Sequence, residues 1–204
     1  MGNIIKNFRE SRTWHVARWP LFVVAIHYVG LVIYRIPAAI ERQKTPGAIE
    51  RIKAQKLTLA DVMGQNLPPE PDPALKDATL EGIDANSNGI RDDVELAIFK
   101  LHPDSARIRA AELQYAMALQ VELTKDVFNS ETLVETIHTE SKGFFCIGDA
   151  APNQSPLIFL KEVKGLVFNT PARTQRSEDV FKKYMTTNAL PNESCDIELT
   201  SLPN

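Results

Sequence analysis

The chain has 204 residues, of which 44% are hydrophobic and 24% are charged, so it can form one globular domain of about 100 to 150 residues plus attachments. Its net charge of -3 is unevenly divided, because residues 1 to 60 carry 10 basic and 3 acidic side chains whereas residues 61 to 204 carry 13 basic and 23 acidic ones. A basic leader suits an anionic lipid surface, while the acidic body argues against a nucleic-acid partner.

Residues 1 to 40 predict a basic leader followed by a membrane helix. The run from residue 20 to residue 34 has no full charge, and Trp19 and Tyr34 stand where interfacial aromatic side chains are expected. Arg35 could extend its charge to the interface and lengthen the span. The run is short for a span, so three interpretations stay open: an uncleaved signal-anchor, a cleaved secretory signal and a buried core helix.

Residues 41 to 73 predict a polar helical stalk that ends in a proline-rich linker. The stalk has a ragged apolar stripe and several basic residues, which fit either a position along the membrane surface or a solvated helix. Four prolines between residues 67 and 73 exclude a regular helix or a central strand there. We therefore expect a domain boundary at residue 73 and a separate domain over residues 74 to 204.

Residues 84 to 95 combine oxygen-bearing side chains with a spacing that suits Ca²⁺. The oxygens stand at positions 1, 3, 5, 9 and 12, and Gly89 takes the sixth position, where the backbone must turn sharply. Ca²⁺ binds six to eight oxygens, which a short loop can supply. The predicted ligands are Asp84, Asn86, Asn88, the backbone carbonyl of Ile90, Asp92 and Glu95. The alternative is an Asx-rich turn that only caps the following helix.

These twelve residues resemble the calcium loop of EF-hand proteins and the related loops of dockerin and thrombospondin type 3 repeats. The resemblance covers this loop alone and implies Ca²⁺ as the cofactor. Arg91 takes the eighth position, where EF-hands usually carry an aliphatic residue that bridges to a partner loop. Residues 73 to 82 are a poor incoming helix, and no second loop follows. We therefore expect a single site of modest affinity, suited to a calcium-rich compartment rather than to cytosolic signalling.

The pattern after the loop is helical and predicts an all-α domain. Apolar residues recur at helical spacing, and capping residues or first-turn prolines mark the helix starts. The predicted helices are Asp92 to Leu101, Asp104 or Ser105 to about Asp126, one starting at Ser130, Pro156 to Phe168, and Pro171 to Thr187. For the segment from Pro156 to Phe168 a strand is the alternative.

The two cysteines, Cys146 and Cys195, predict a disulfide if the body of the protein lies outside the cytoplasm. The alternative is two separate buried thiols. With the apolar leader, the pair predicts a membrane-anchored protein whose residues 41 to 204 are periplasmic or extracellular.

Catalytic patterns are weak. Glu131, Glu135 and His138 share a helix face, and Glu135 and His138 have a spacing used in di-iron bundles, but the pattern occurs once. Cys146 with His138 and Asp149 could form a nucleophile, a base and an orienting group, although a structural cysteine is favoured.

The sequence favours a binding or structural role over an enzyme, with the membrane and an unidentified protein as partners. Two alternatives stay open: a hydrolase-type enzyme that uses Ca²⁺ only for stability, and a cytosolic calcium regulator.

Overall fold

The structure is a computed structural model that describes residues 12–184, 191 and 193–203, with side chains from residue 19 onward. Within these residues it is all-α, as predicted, with seven α-helices, one 3-10 helix and no strand. The helices are α1 (Arg12–Ala54), α2 (Leu59–Val62), α3 (Asp92–Leu101), α4 (Ala106–Leu123), α5 (Ser130–Ala150), α6 (Pro156–Val167), α7 (Pro171–Lys183) and the 3-10 helix Leu199–Ser201. The start of the predicted leader and the predicted helix end at Thr187 lie outside the described residues.

Within the described residues, contacts divide the chain into two compact units, one that ends at Lys44 and one that begins at Thr45. In the first, helix α1 is long and apolar enough to cross a membrane, a test that a secretory signal also passes. Its apolar side chains are exposed, with 68% of Ile26 and 81% of Tyr34 accessible. This exposure contradicts a buried core helix, because a core helix would have an apolar face covered by other elements.

Helix α4 is the centre of the second unit. It packs against α2, α3, α5, α6 and α7, and all its residues except Arg107 and Ile108 are buried. Alanines at five of its positions let neighbouring helices approach closely. On α5, Gly143 lies against Tyr115, where an added Cβ would come within 2.8 Å of the tyrosine Cα. The glycine is therefore required by packing at the α4–α5 contact.

Two helix starts have the predicted caps, Ser105 for α4 and Thr170 for α7, whereas the helix predicted to start at Ser130 is capped by the preceding Asn129. Ser105 accepts a hydrogen bond from the Ile108 N–H at the start of α4, and Asn129 forms a capping box with Thr132 at the start of α5. Thr170 caps α7, which opens with a proline at its first turn. The segment from Pro156 is a helix and not a strand.

The end of α1 belongs to the second unit. Thr45, Ala48 and Ile52 are buried, and the Asn129 side-chain amide donates to Thr45 Oγ1 at 2.7 Å. The segment predicted as a stalk is thus, from Thr45 onward, part of the compact unit that contains residues 84 to 95, the loop with calcium-type spacing that is called the calcium-type loop below. Two of the linker prolines, Pro68 and Pro71, are buried as well.

Cys146 of α5 and Cys195 form a disulfide, as predicted. The same C-terminal segment is held by Gln114 of α4, whose side-chain amide donates to Ser194 O at 2.7 Å and accepts from Asp196 N at 2.8 Å. The disulfide therefore reinforces a contact that hydrogen bonds already define.

Candidate metal centre

The loop from Asp84 to Glu95 is folded by hydrogen bonds from its backbone to its own side chains. Asp84 Oδ1 accepts from Asn88 N at 3.2 Å, and Asp84 Oδ2 accepts from Gly89 N at 2.9 Å. Asn86 Oδ1 accepts from Asn88 N at 3.3 Å, and Asn88 Oδ1 accepts from Ile90 N at 2.9 Å. These Asx-type bonds curl the chain so that the predicted ligands at the first, third and fifth positions follow one tight turn.

Two residues of the turn have positive φ. Gly89 has a φ of 85°, which an L side chain rarely adopts, and this explains the glycine at the sixth position. Ser87 has a φ of 57°. At the seventh position the Ile90 side chain is buried in the hydrophobic core, so packing fixes the chain at the predicted carbonyl ligand.

The loop is closed at the start of α3. Asp92 N donates to Ile83 O at 2.8 Å, and Asp92 Oδ1 accepts from Ala85 N at 2.9 Å. Burial, with the nearby Asp84 and Asp93 charges, raises the pKa of Asp92, whereas the hydrogen bond from Ala85 lowers it. Asp92 thus connects the beginning of the loop to the start of α3. This position is compatible both with an Asx cap and with a ligand at the ninth position.

Glu95, the predicted twelfth-position ligand, is fully buried one turn into α3. Its Oε2 accepts from the side-chain amides of Asn86 and Asn88, each at 3.0 Å, while its buried Oε1 has no hydrogen-bond partner. Burial raises the pKa of Glu95 to about 6, against the hydrogen bonds from the two asparagines. A buried carboxylate with one unpartnered oxygen is costly unless a cation compensates its charge.

The residues fit Ca²⁺ by the chemistry of their donors. Each carboxylate or amide oxygen has two lone pairs, so the oxygens that accept backbone N–H groups can also bind a cation. The amide nitrogens of Asn86 and Asn88 face Glu95 and now supply the positive partial charge that a cation would supply. The Oδ1 atoms of Asn86 and Asn88 each accept a backbone N–H and keep a second lone pair, so they can add two neutral ligands to the carboxylates.

The structure adds two residues that the sequence did not predict. Asn66 O accepts from Asn86 Nδ2 at 2.8 Å, and the negative charge of Asp61 contributes to the raised pKa of Glu95. Asp61 is buried and forms a capping box with Thr58, the residue that caps α2. Both residues line a cleft of about 610 Å³ beside the loop. They lie about 20 residues before the loop at no fixed spacing, so no sequence signal could assign them to it.

Arg91 explains the departure from the EF-hand pattern at the eighth position. Its guanidinium is fully buried, pairs with Asp93 and donates to Leu166 O at 2.8 Å and Val167 O at 3.1 Å. These carbonyls belong to the last turn of α6, where a cation is favourable. In paired EF-hands the residue at the eighth position contacts the partner loop. In this protein Arg91, at the same position, connects the loop to the C-terminal end of α6.

The catalytic candidates do not assemble. Glu135 and His138 are 3.9 Å apart in a cleft of about 190 Å³, and Glu135 also pairs with Lys53 at 3.3 Å. Glu131 is exposed on the same helix. Cys146 is oxidised in the disulfide, so it has no thiol to act as a nucleophile. Asp149 lies in another cleft and accepts a hydrogen bond from Ser194 Oγ.

Comparisons of the chain with protein-family models, with curated proteins and with solved structures gave no match.

Proposed function

We propose that this protein is a membrane-anchored or exported calcium-binding domain with a binding or structural role, in which Ca²⁺ fixes the loop that leads into α3. The observation that carries the proposal is Glu95, a fully buried carboxylate with an unpartnered oxygen at the twelfth position of a loop with EF-hand spacing. Asp84, Asn86, Asn88, the Ile90 carbonyl, Asp92 and Glu95 would hold the ion. Bound Ca²⁺ would supply the positive charge that this buried carboxylate lacks.

The disulfide and the apolar part of α1 support a location outside the cytoplasm for residues 41 to 204. Structural disulfides persist in oxidising compartments, where millimolar calcium also suits a site with two neutral ligands. The cytosolic regulator would need free thiols at both cysteines, and the enzyme would need a nucleophile or a paired acid and base at one site. The membrane and a protein partner remain the proposed contacts.

The test is a thermal melt of the full chain in detergent micelles, without reductant, in Ca²⁺, in Mg²⁺ and in chelator. A ligand that binds only the folded state stabilises it by mass action, so Ca²⁺ at 10 to 100 times its Kd should raise the Tm by roughly 3 to 10 °C. Mg²⁺ should not reproduce this rise, because it demands a smaller octahedral site.

Glu95→Gln and Asp84→Ala should abolish the calcium-dependent rise. Glu131→Gln is the matched control, because it removes an exposed glutamate from α5 and should keep the whole shift. An unchanged Tm at millimolar Ca²⁺ would contradict the proposal and leave the loop as an Asx-rich helix cap.

A further inference from the structure

Three side chains that commonly bind metals meet away from the calcium-type loop. His102 follows α3, Glu112 lies on α4 and Glu162 lies on α6. His102 Nε2 is 3.1 Å from Glu112 Oε2 and 3.9 Å from Glu162 Oε2. Within the described residues, this is the set of three histidine, cysteine, aspartate or glutamate side chains whose ligand atoms all lie within 4.8 Å of one another.

The burial of Glu112 is the observation that points to a ligand at this cluster. Its side chain is 0% exposed, and neither carboxylate oxygen has a hydrogen-bond partner. His102 Nε2 is also buried and forms no hydrogen bond, although it lies 3.1 Å from the carboxylate. Glu112 Oε1 is thus left without a partner and Oε2 faces only the histidine ring among the contacts described, which is costly in the interior of a protein.

The electrostatics of the cluster favour an added cation. Burial and the nearby Glu162 raise the pKa of Glu112 to about 8, whereas burial lowers the pKa of His102. Arg109 also faces His102 and donates to its backbone carbonyl at 2.8 Å. Arg109 forms no described hydrogen bond with the Glu112 carboxyl group. A dication between the three ligands would therefore offset the cost of burying that carboxyl group.

The distances and ligand types select the class of metal. Zinc binds histidine nitrogen and carboxylate oxygen at about 2.0 to 2.2 Å in a tetrahedron, which places ligand atoms roughly 3.3 Å apart. The observed 3.1 and 3.9 Å lie on either side of that separation. An imidazole ligand suits zinc, cobalt or nickel rather than Ca²⁺ or Mg²⁺. Glu162 is 32% exposed, so an ion can reach the site from solvent.

We propose that His102, Glu112 and Glu162 form a binding site for Zn²⁺ or a similar divalent transition metal, with water as the fourth ligand. Three protein ligands with one open position are the arrangement of an accessible zinc site rather than of a closed structural one. This site shares no ligand with the calcium-type loop, so the two proposals can fail separately. Both cysteines are in the disulfide and cannot be thiolate ligands, so the protein ligands of this site are the histidine and the two glutamates.

The test is calorimetric titration of Zn²⁺ into the tag-free full chain in detergent micelles, after trace metals are removed and with Ca²⁺ present. We expect one saturable zinc site, and cobalt at that site should give the visible absorption of a tetrahedral complex. His102→Gln should weaken zinc binding by at least about tenfold. His138→Gln, which changes a histidine beside Glu135 on α5, is the matched control and should bind zinc as the unmodified chain does.

Three further variants keep the test decisive. Glu95→Gln should lose the calcium effect and retain zinc binding, which separates the two sites. Glu112→Gln changes a buried residue, so its fold is checked by circular dichroism, and Glu162→Gln provides a partly exposed alternative with an expected loss of at least about fivefold. Absence of saturable zinc binding, or wild-type affinity in both His102→Gln and Glu162→Gln, would overturn the proposal.

Discussion

At the scale of single residues, the unusual feature of the domain is the number of glutamates in its interior. Glu95, Glu112 and Glu122 are each at most 1% exposed. A carboxylate in such a place needs a cation, a hydrogen-bond donor or its own proton. The first two are candidates for a bound cation, whereas Glu122 meets a second glutamate.

Glu122 of α4 and Glu140 of α5 share a hydrogen bond, and Ser177 Oγ donates to Glu122 Oε2. Burial and Glu122 together raise the pKa of Glu140 well above its ordinary value. The raised pKa favours the protonated form of Glu140, which can donate a hydrogen bond to Glu122. The same two carboxyl groups, with burial as the larger cause, raise the pKa of Tyr115.

The raised pKa of Glu140 makes the stability of the domain depend on pH. The folded-state pKa lies above the unfolded one, so the contribution is fully present below the unfolded pKa of about 4.3 and is lost as pH rises through the folded pKa. Glu140→Gln keeps a hydrogen-bond donor without a titrating proton. We expect it to raise the Tm relative to the unmodified chain above that folded pKa, in melts at a series of pH values.

Glu131→Gln serves as the control for this pH series, since its exposed carboxylate should leave the pH dependence unchanged. A Glu140→Gln variant whose Tm falls in parallel with that of the unmodified chain at every pH would contradict the assignment of the proton to Glu140.

At the scale of secondary-structure elements, buried arginines join segments that are far apart in the sequence. Arg91 joins the calcium-type loop to the end of α6. Arg173 of α7, also buried, donates to the carbonyls of Lys76, Thr79 and Leu80. These bonds hold the segment before the loop in turns, although that segment forms no incoming helix.

We expect Arg91→Met to destabilise the domain by about 3 kcal/mol, because it leaves the last carbonyls of α6 without a donor and Asp93 without its partner. Urea denaturation of the full chain, followed by circular dichroism, measures the loss. Arg42→Met, at an exposed position of α1, should change the free energy of unfolding by less than about 0.5 kcal/mol. An equal, small effect of both substitutions would show that the Arg91 contacts contribute little.

The helices could be predicted from the sequence because their signals are local. The start of α4 follows from Ser105 as a cap and the start of α7 from Thr170 and Pro171, with the apolar spacing between them. The positions of Arg91 and Arg173 could not be predicted, since each binds carbonyls 75 or more residues away. The cluster of His102, Glu112 and Glu162 was missed for the same reason, because its spacing follows no motif.

At the scale of the whole molecule, the central helix α4 contacts one segment that precedes it in the chain and one that follows it near the C-terminal end. The calcium-type loop lies before the core helices, and its Ile90 side chain packs in the same hydrophobic cluster as Met117. The C-terminal segment is attached by the hydrogen bonds of Gln114 and by the disulfide to α5. A metal in the loop and the disulfide at Cys195 would thus restrain one segment before the central helices and one segment after them.

The disulfide should contribute more to this restraint than any single hydrogen bond, because it closes a loop with a sequence separation of 49 residues. In the chain-entropy treatment such a closure stabilises the folded state by about 4 kcal/mol, a large share of the stability of a small domain. We expect Cys146→Ser combined with Cys195→Ser to lower the free energy of unfolding by that amount in urea. The unmodified chain in reductant should match the double variant, since both lose the same cross-link.

The calcium-dependent rise in Tm should persist in both, because the loop shares no residue with the disulfide. A double variant as stable as the oxidised protein would instead mean that the Gln114 hydrogen bonds alone hold the C-terminal segment in place.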